Sequence, residues 1–172
     1  VYAKDSDGGG PHTLGYLVSA AGFGEVVSTA YLAGRATVRG LGRVIMYAAA
    51  TSGAALAAFA YIRIFPLALL LMVLVGGGTI LAAASANTIL QTIVDDRLRG
   101  RVASFYTLAF LGVAPLGNLA AGAIAATMGT PFAFALNGVL AVLAALWYRS
   151  KLPTVRDVLR PIYEQLGVPR RR

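Results

Sequence analysis

The chain has 172 residues, of which 58% are hydrophobic and 13% are charged, and its formal net charge is +8. An ordinary soluble domain has about 45 to 50% apolar and about 25% charged residues, so this composition excludes a typical water-soluble fold. The sequence has no cysteine and a single histidine, His12, which excludes disulfides and a metal cluster built from these residue types.

Five long apolar stretches account for nearly all of the sequence. A helix needs about 20 apolar residues to cross the roughly 30 Å hydrocarbon core, and such stretches have few alternatives to spanning it. The pattern therefore predicts an all-α membrane protein that crosses the bilayer about five times. The predicted spans are residues 12–34, 42–62, 66–94, 102–128 and 131–148.

Basic residues fall almost entirely on one side of these spans. If the connections alternate between sides, thirteen of the 15 arginines and lysines share one side, and Lys4 and Arg63 lie on the other. Because basic loops stay in the cytoplasm, the bias predicts a cytoplasmic C-terminus and an external segment at residues 1–11. It also argues against nucleic acid as the partner of these charges. We expect the chain to be part of a longer protein, since five spans place its two ends on opposite sides.

The first span carries Glu25 near its middle. An ionisable residue at that depth costs a few kcal/mol unless it is paired, protonated or wetted. One hypothesis is a site for proton coupling or for a cationic substrate, and the other is a structural glutamate hydrogen-bonded to a neighbouring helix. Ala20 and Gly24 have the spacing that permits close helix contact. The second span has no charge between its ends, which predicts a peripheral helix.

The third span is the longest, and its second half carries a polar stripe. We expect a bend at residues 76–78, which are three glycines. Asn87 and Gln91 in the stripe, and Asn118 beside the mid-span Pro115 of the fourth span, are candidates for substrate contact. Hydrogen bonds between helices explain the same residues at least as well. The stripe consists of Ser85, Asn87, Thr88, Gln91 and Thr92.

The fifth span is predicted to begin at Thr130 as an N-cap and to end at an aromatic interface formed by Trp147 and Tyr148. Residues 149–172 then form a basic tail with helical spacing that Pro161 interrupts. This pattern predicts two short helical pieces on the anionic inner leaflet. A disordered tail is the alternative.

Two short loops combine arginines with glycines or acids. They read G-R-A-T-V-R-G-L-G-R at residues 34–43 and D-D-R-L-R-G-R at residues 95–101. One interpretation is topological, because arginines hold loops at the membrane surface. The other is that these charges pair with helix ends or with another half of the protein and lock one conformation. The residues concerned are Arg35, Arg39, Arg43, Asp96, Arg97, Arg99 and Arg101.

These loops, with the long helix before D-R-L-R-G-R-V-A-S and the later P-L-G-N-L-A-A-G, resemble the second half of major facilitator superfamily transporters. The resemblance is closest to the bacterial branch of the enterobactin exporter and the transmembrane secretion effectors. It implies that the five spans are the last five of twelve and that the first, third and fourth line a central cavity. The family usually has an acid before the arginine matching Arg39, where this chain has Val38, so only Arg35, Arg39 and Arg43 are carried over as loop contacts.

We therefore expect the C-terminal portion of a secondary transporter that exports small amphipathic molecules from a bacterial cytoplasm by proton antiport. Its partners would be the lipid bilayer of the inner membrane, an N-terminal transporter half, a small-molecule substrate and protons, without any cofactor. No catalytic constellation or phosphate-binding loop occurs in the sequence, so we expect no enzyme activity. The alternative is a non-transporting membrane scaffold or a truncated transporter remnant.

Overall fold

The structure is a computed structural model that describes residues 11–35, 37–95 and 97–165. Over these residues the chain forms helices and no strand, which confirms the predicted all-α class. The predicted external segment lies almost wholly outside the described residues, as do Asp96 and the last part of the predicted tail. The helices of the described chain are α1 (Pro11–Ala33), α2 (Leu41–Phe59), α3 (Phe65–Ile93), α4 (Arg99–Met128) and α5 (Thr130–Gln165).

Four of these helices, α2 to α5, are long and apolar enough to cross a membrane, which supports a multi-pass membrane protein. The remaining helix, α1, has 23 residues and would extend about 34 Å at ~1.5 Å per residue. Its length suffices to cross the hydrocarbon core, but it is less apolar because it carries Glu25 and several polar residues. The predicted membrane crossing by α1 is therefore supported by its length alone. The other four helices are both long enough and apolar enough to cross.

The central helix of the bundle is α3, which packs against α1 on one face and against α2 on another. α3 continues through residues 76–78, the three glycines where the sequence predicts a bend, without a break in the helix. These glycines serve close packing. A side chain at Gly76 would collide with the backbone of Ala21 in α1, and one at Gly78 would come within 2.6 Å of the Ala48 carbonyl oxygen in α2. Small residues are needed here because helices approach on both sides at the same level.

Hydroxyl groups join α2 to α3 at this level. The Ser52 hydroxyl donates to the Val75 carbonyl oxygen at 3.1 Å and lies 2.9 Å from the Thr79 hydroxyl, which also bonds the Val75 carbonyl at 2.7 Å. Ser52 is buried. A polar group inside an apolar bundle must find such a partner, so this triad fixes how α2 faces α3.

The outer pair of helices is α2 and α5. A side chain at Gly53 would lie 2.7 Å from the Gly138 carbonyl oxygen, so two glycines bring the helices together. At the C-terminal end of α2, the rings of Phe59 and Phe134 meet edge to face, with centroids 5.8 Å apart. The second and fifth predicted spans therefore pack together.

The most loosely held helix is α4. None of its residues is buried, although it is described in full. The Tyr106 hydroxyl of α4 donates a hydrogen bond to the Ala83 carbonyl oxygen of α3 at 2.8 Å. Pro115 lies within the helix without ending it. Most of the α4 surface therefore has no neighbour among the described residues.

The last helix, α5, continues through the predicted boundary at residue 148 and through Pro161. This differs from the two short pieces that the sequence predicts. Leu152 is buried, and its Cδ1 atom would lie 3.0 Å from a side chain at Gly42 in the first turn of α2. That contact stabilises the helix beyond the apolar span, and a proline removes one backbone hydrogen bond without obliging the helix to stop.

Candidate functional site

Glu25 lies on the side of α1 next to its contact with α3. The preceding residue, Gly24, touches the backbone of Val73 and Gly77, so Glu25 stands at the level of the glycine contact. Its side chain is exposed, and its carbonyl oxygen accepts a hydrogen bond of 2.8 Å from the Thr29 hydroxyl. Within the described residues no partner pairs with its carboxylate. The carboxylate is therefore open to solvent, a substrate or a group from elsewhere in the protein.

Asn87 and Gln91 form a pair within α3. The Gln91 side-chain nitrogen donates to the Asn87 side-chain oxygen at 3.0 Å, one helical turn away. Asn87 is half-buried and Gln91 is exposed. Two further members of the stripe, Thr88 and Thr92, bond backbone carbonyls of their own helix. The side-chain amides of Asn87 and Gln91 therefore still have hydrogen-bond donors and acceptors that can bind a ligand.

Ser85 behaves differently from the rest of the stripe. It is fully buried, and its hydroxyl has no partner among the described residues. A buried hydroxyl without a partner carries a desolvation penalty, of the order of 1–3 kcal/mol. Ser85 therefore faces protein.

The four intramembrane candidates do not form one cluster. Glu25 is level with Gly77, and Asn87 follows that glycine by ten residues, or about 15 Å along the helix axis. Asn118 is exposed on α4, twelve residues beyond the Tyr106 contact with α3, or about 18 Å in the direction away from Asn87. The four candidates therefore do not form a single binding centre.

The first basic loop is organised around Arg35. Its guanidinium donates to the Tyr31 hydroxyl at 2.8 Å and to the Arg39 carbonyl oxygen at 3.1 Å, and its carbon lies 5.7 Å from the Tyr31 ring centre. Gly40 has a φ of 85°, a left-handed conformation that favours glycine, and it lets the chain turn into α2. The loop thus closes on itself through hydrogen bonds that the sequence pattern did not specify.

Two donors in this loop remain unsatisfied. The Nε atoms of Arg35 and Arg39 are buried and have no hydrogen-bond partner in the described part of the chain. Beside them is a cavity of about 360 Å³ that Arg35, Thr37 and Leu41 line together with Thr88 of α3. Arg43, the third arginine, is exposed at the start of α2. The loop therefore presents positive charge without a compensating carboxylate among the residues described.

The second basic loop is more exposed than the first. The Asp95 carboxylate accepts a hydrogen bond of 2.9 Å from the Arg97 backbone nitrogen, which turns the chain before α4. The arginines Arg97, Arg99 and Arg101 are all exposed. Asp96 lies outside the described residues. A role of this loop in locking one conformation stays a prediction.

Sequence reasoning missed Tyr31 and Tyr47. Both line a groove of about 480 Å³ between α1 and α2. A usable signal was present, because each tyrosine lies four residues from an arginine, and residues four apart share a helix face. The pairs are Tyr31 with Arg35 and Tyr47 with Arg43.

The chain matches a known protein family over nearly its whole length. The family described as transmembrane secretion effector matches residues 1–164. No curated protein and no solved structure matches the chain.

Proposed function

Because the chain belongs to the transmembrane secretion effector family, which is of the major facilitator type, we propose that it is the C-terminal portion of a secondary transporter. In this proposal the transporter exports small amphipathic molecules from a bacterial cytoplasm across the inner membrane by proton antiport. The observation that carries the proposal is the family match over residues 1–164, which is nearly the whole chain. The substrate is moved and not chemically converted.

The exposed surface of α4 supports a transporter of two halves. Side chains added at Gly112, Gly117 or Gly122 would meet nothing within 4 Å. Small residues of this kind allow close helix contact in membranes, yet here they have no neighbour in the described chain. An N-terminal half placed against α4 would use this surface and enclose a cavity with α1 and α3.

Glu25 is the proposed proton site. Its carboxylate is exposed on α1, whose most apolar stretch is less apolar than those of the other four described helices, as expected of a side chain that meets a water-filled cavity. The Asn87–Gln91 pair and Asn118 are proposed to contact substrate at successive depths, because the amide groups can both donate and accept hydrogen bonds.

Alternating access would couple these sites. In the proposed cycle this half rocks against the other around the cavity, which opens in turn to each side. A ligand shifts such an equilibrium only by as much as its affinity differs between the two states, so substrate and proton must each favour a different one. The arginine loops would contribute by holding the cytoplasmic ends of the helices in one of the two arrangements.

The test is efflux of a panel of dyes, antibiotics and siderophores from cells that carry or lack the complete gene. We expect faster efflux of at least one compound from cells with the gene, and loss of that difference when the proton gradient is collapsed. Equal efflux of the whole panel in both strains would contradict the proposal and favour a non-transporting scaffold or a transporter remnant. Efflux that persists without the gradient would leave a transporter but remove proton antiport.

A further inference from the structure

A groove runs between α1 and α2 at the end of the bundle that carries the first basic loop. Both helices pack on α3, and they leave between them a space of about 480 Å³ above α3. Its floor contains Gly77, Gly78 and Leu81, and its walls include Val27 of α1 and Ala48 of α2. Since neither wall closes over it, the groove opens sideways to whatever surrounds the bundle.

The walls of the groove are apolar or small except at one end. There Tyr31 of α1 and Tyr47 of α2 line it, and both side chains are exposed, by 52% and 65%. Tyrosine is enriched where a membrane protein meets the headgroup level, because its ring is apolar and its hydroxyl is polar. The groove therefore joins an apolar channel to an interfacial mouth.

Two arginines flank this mouth. Arg35 donates to the Tyr31 hydroxyl at 2.8 Å, and Arg43 precedes Tyr47 by one turn on the same face of α2. Within the described residues neither arginine forms an ion pair with a carboxylate, and the buried Nε of Arg35 has no acceptor. A guanidinium binds phosphate oxygens well, because its planar array of donors matches them.

We propose that this groove binds one anionic phospholipid. The phosphate group lies between Arg35 and Arg43, and one acyl chain occupies the apolar channel beside Val27 and Ala48. The lipid supplies negative charge where the mouth has only positive charge, and apolar surface where the channel has apolar walls. Binding would also hold α1 and α2 at a fixed separation where they flank the groove.

Charge and the apolar lining together favour a lipid over other occupants. A free inorganic anion would use the arginines and leave the apolar channel empty. The bilayer surrounds the bundle with anionic lipid, so the proposed ligand is present wherever the protein is.

The test is lipid binding by the intact protein in neutral detergent, measured by native mass spectrometry with added phosphatidylglycerol, phosphatidylcholine or inorganic phosphate. We expect one tightly held phosphatidylglycerol and weak binding of phosphatidylcholine. The double variant Arg35→Gln, Arg43→Gln should bind phosphatidylglycerol about thirty-fold more weakly, because each basic side chain near the anionic headgroup contributes roughly a fivefold factor. Arg101→Gln, an exposed arginine of the other loop, should bind it like the unaltered protein.

A second pair of variants tests the acyl chain. Val27→Trp fills the groove, whereas Val26→Trp places the same ring on the neighbouring exposed position, which does not line it. We expect only Val27→Trp to weaken phosphatidylglycerol binding, with both variants melting at similar temperatures. Equal binding of the two lipids, unchanged binding by Val27→Trp, or full competition by inorganic phosphate would each overturn the proposal. Because no gradient or transport is involved, these outcomes do not depend on the proposed function.

Discussion

Glu25 is the only acidic residue of the sequence within the predicted spans, and the structure leaves its carboxylate exposed beside the α1–α3 contact. A carboxylate that carries a proton across the membrane must be able to lose and regain it, whereas a carboxylate that serves only as a hydrogen-bonding group need not. At the residue scale, the question is therefore whether transport needs an ionisable group or only a polar one at this position.

Glu25→Gln in the complete transporter should reduce proton-driven efflux to the level of cells without the gene, because the amide keeps the shape and loses the proton. Membrane insertion and protein amount should stay unchanged. Glu25→Asp is the matched control, since it keeps the carboxyl group and should retain part of the activity. The measurement is substrate efflux from cells or vesicles under an imposed pH gradient. Unchanged pH-driven efflux by the glutamine variant would remove Glu25 from the mechanism.

A second residue-scale prediction concerns Tyr106, whose hydroxyl bonds the Ala83 carbonyl and so joins α4 to α3. Tyr106→Phe keeps the ring that stacks on Phe110 and removes the hydrogen bond. We expect a loss of about 0.6 kcal/mol in the free energy of unfolding, the average for hydrogen bonds between membrane helices. Hydrogen exchange should become faster in the neighbouring turns of α4.

Tyr16→Phe is the control for that experiment. Tyr16 is exposed, and its ring meets Phe65 edge to face at 6.3 Å without a hydrogen bond from its hydroxyl among the described contacts. Tyr16→Phe should leave both the free energy of unfolding and the hydrogen-exchange rates of α4 unchanged. Equal exchange rates for the two variants would mean that the Tyr106 hydroxyl does not hold α4.

At the scale of the helices, the bundle is organised by glycines that let neighbours approach α3. Gly24 and Gly22 of α1 are two residues apart, yet a side chain at Gly24 would collide with the Val73 carbonyl oxygen and one at Gly22 would meet nothing within 4 Å. The difference arises because two positions along a helix are about 200° apart around its axis. One glycine is therefore required by packing and the other is not.

Gly24→Ala should lower the free energy of unfolding by about 1–3 kcal/mol, the usual cost of adding atoms to a tight contact. Gly22→Ala should leave the free energy of unfolding nearly unchanged or raise it slightly. The reason is that alanine stabilises a helix by about 1 kcal/mol relative to glycine. The measurement is reversible unfolding in mixed micelles with increasing SDS. Equal losses in the two variants would contradict the close contact between α1 and α3.

At the scale of the whole molecule, the arginine distribution predicts which loops share a compartment. Arg97 follows α3 and Arg63 precedes it, and both are exposed. If α3 spans the bilayer, these two residues lie on opposite sides, with Arg97 in the cytoplasm. The chain has no native cysteine, so a single introduced thiol can be labelled without background.

A membrane-impermeant thiol reagent should label Arg63→Cys in intact cells and Arg97→Cys only after the membrane is opened. The physical reason is that α3 has 29 predominantly apolar residues between the two positions, enough to cross the hydrocarbon core. The unaltered chain, which should not react, is the control. Labelling of both variants in intact cells would refute the predicted arrangement of all five spans.

The sequence alone determined the all-α membrane class, the number and approximate limits of the helices, and the family. These follow from hydropathy, length and local motifs, which are properties of contiguous residues. It also indicated that small residues mediate helix contacts. It did not reveal that α5 continues beyond residue 148, because the stabilising contact joins Leu152 to the distant Gly42.

Only the tertiary structure decided which residues meet. Residues 76–78 form a packing surface for both α1 and α2, and Glu25, the Asn87–Gln91 pair and Asn118 lie at different depths. The sequence also did not reveal the groove between α1 and α2, because the groove depends on how both helices pack on α3. Such features depend on the rotation and axial position of three helices at once, and the periodicity of any one helix leaves both undetermined.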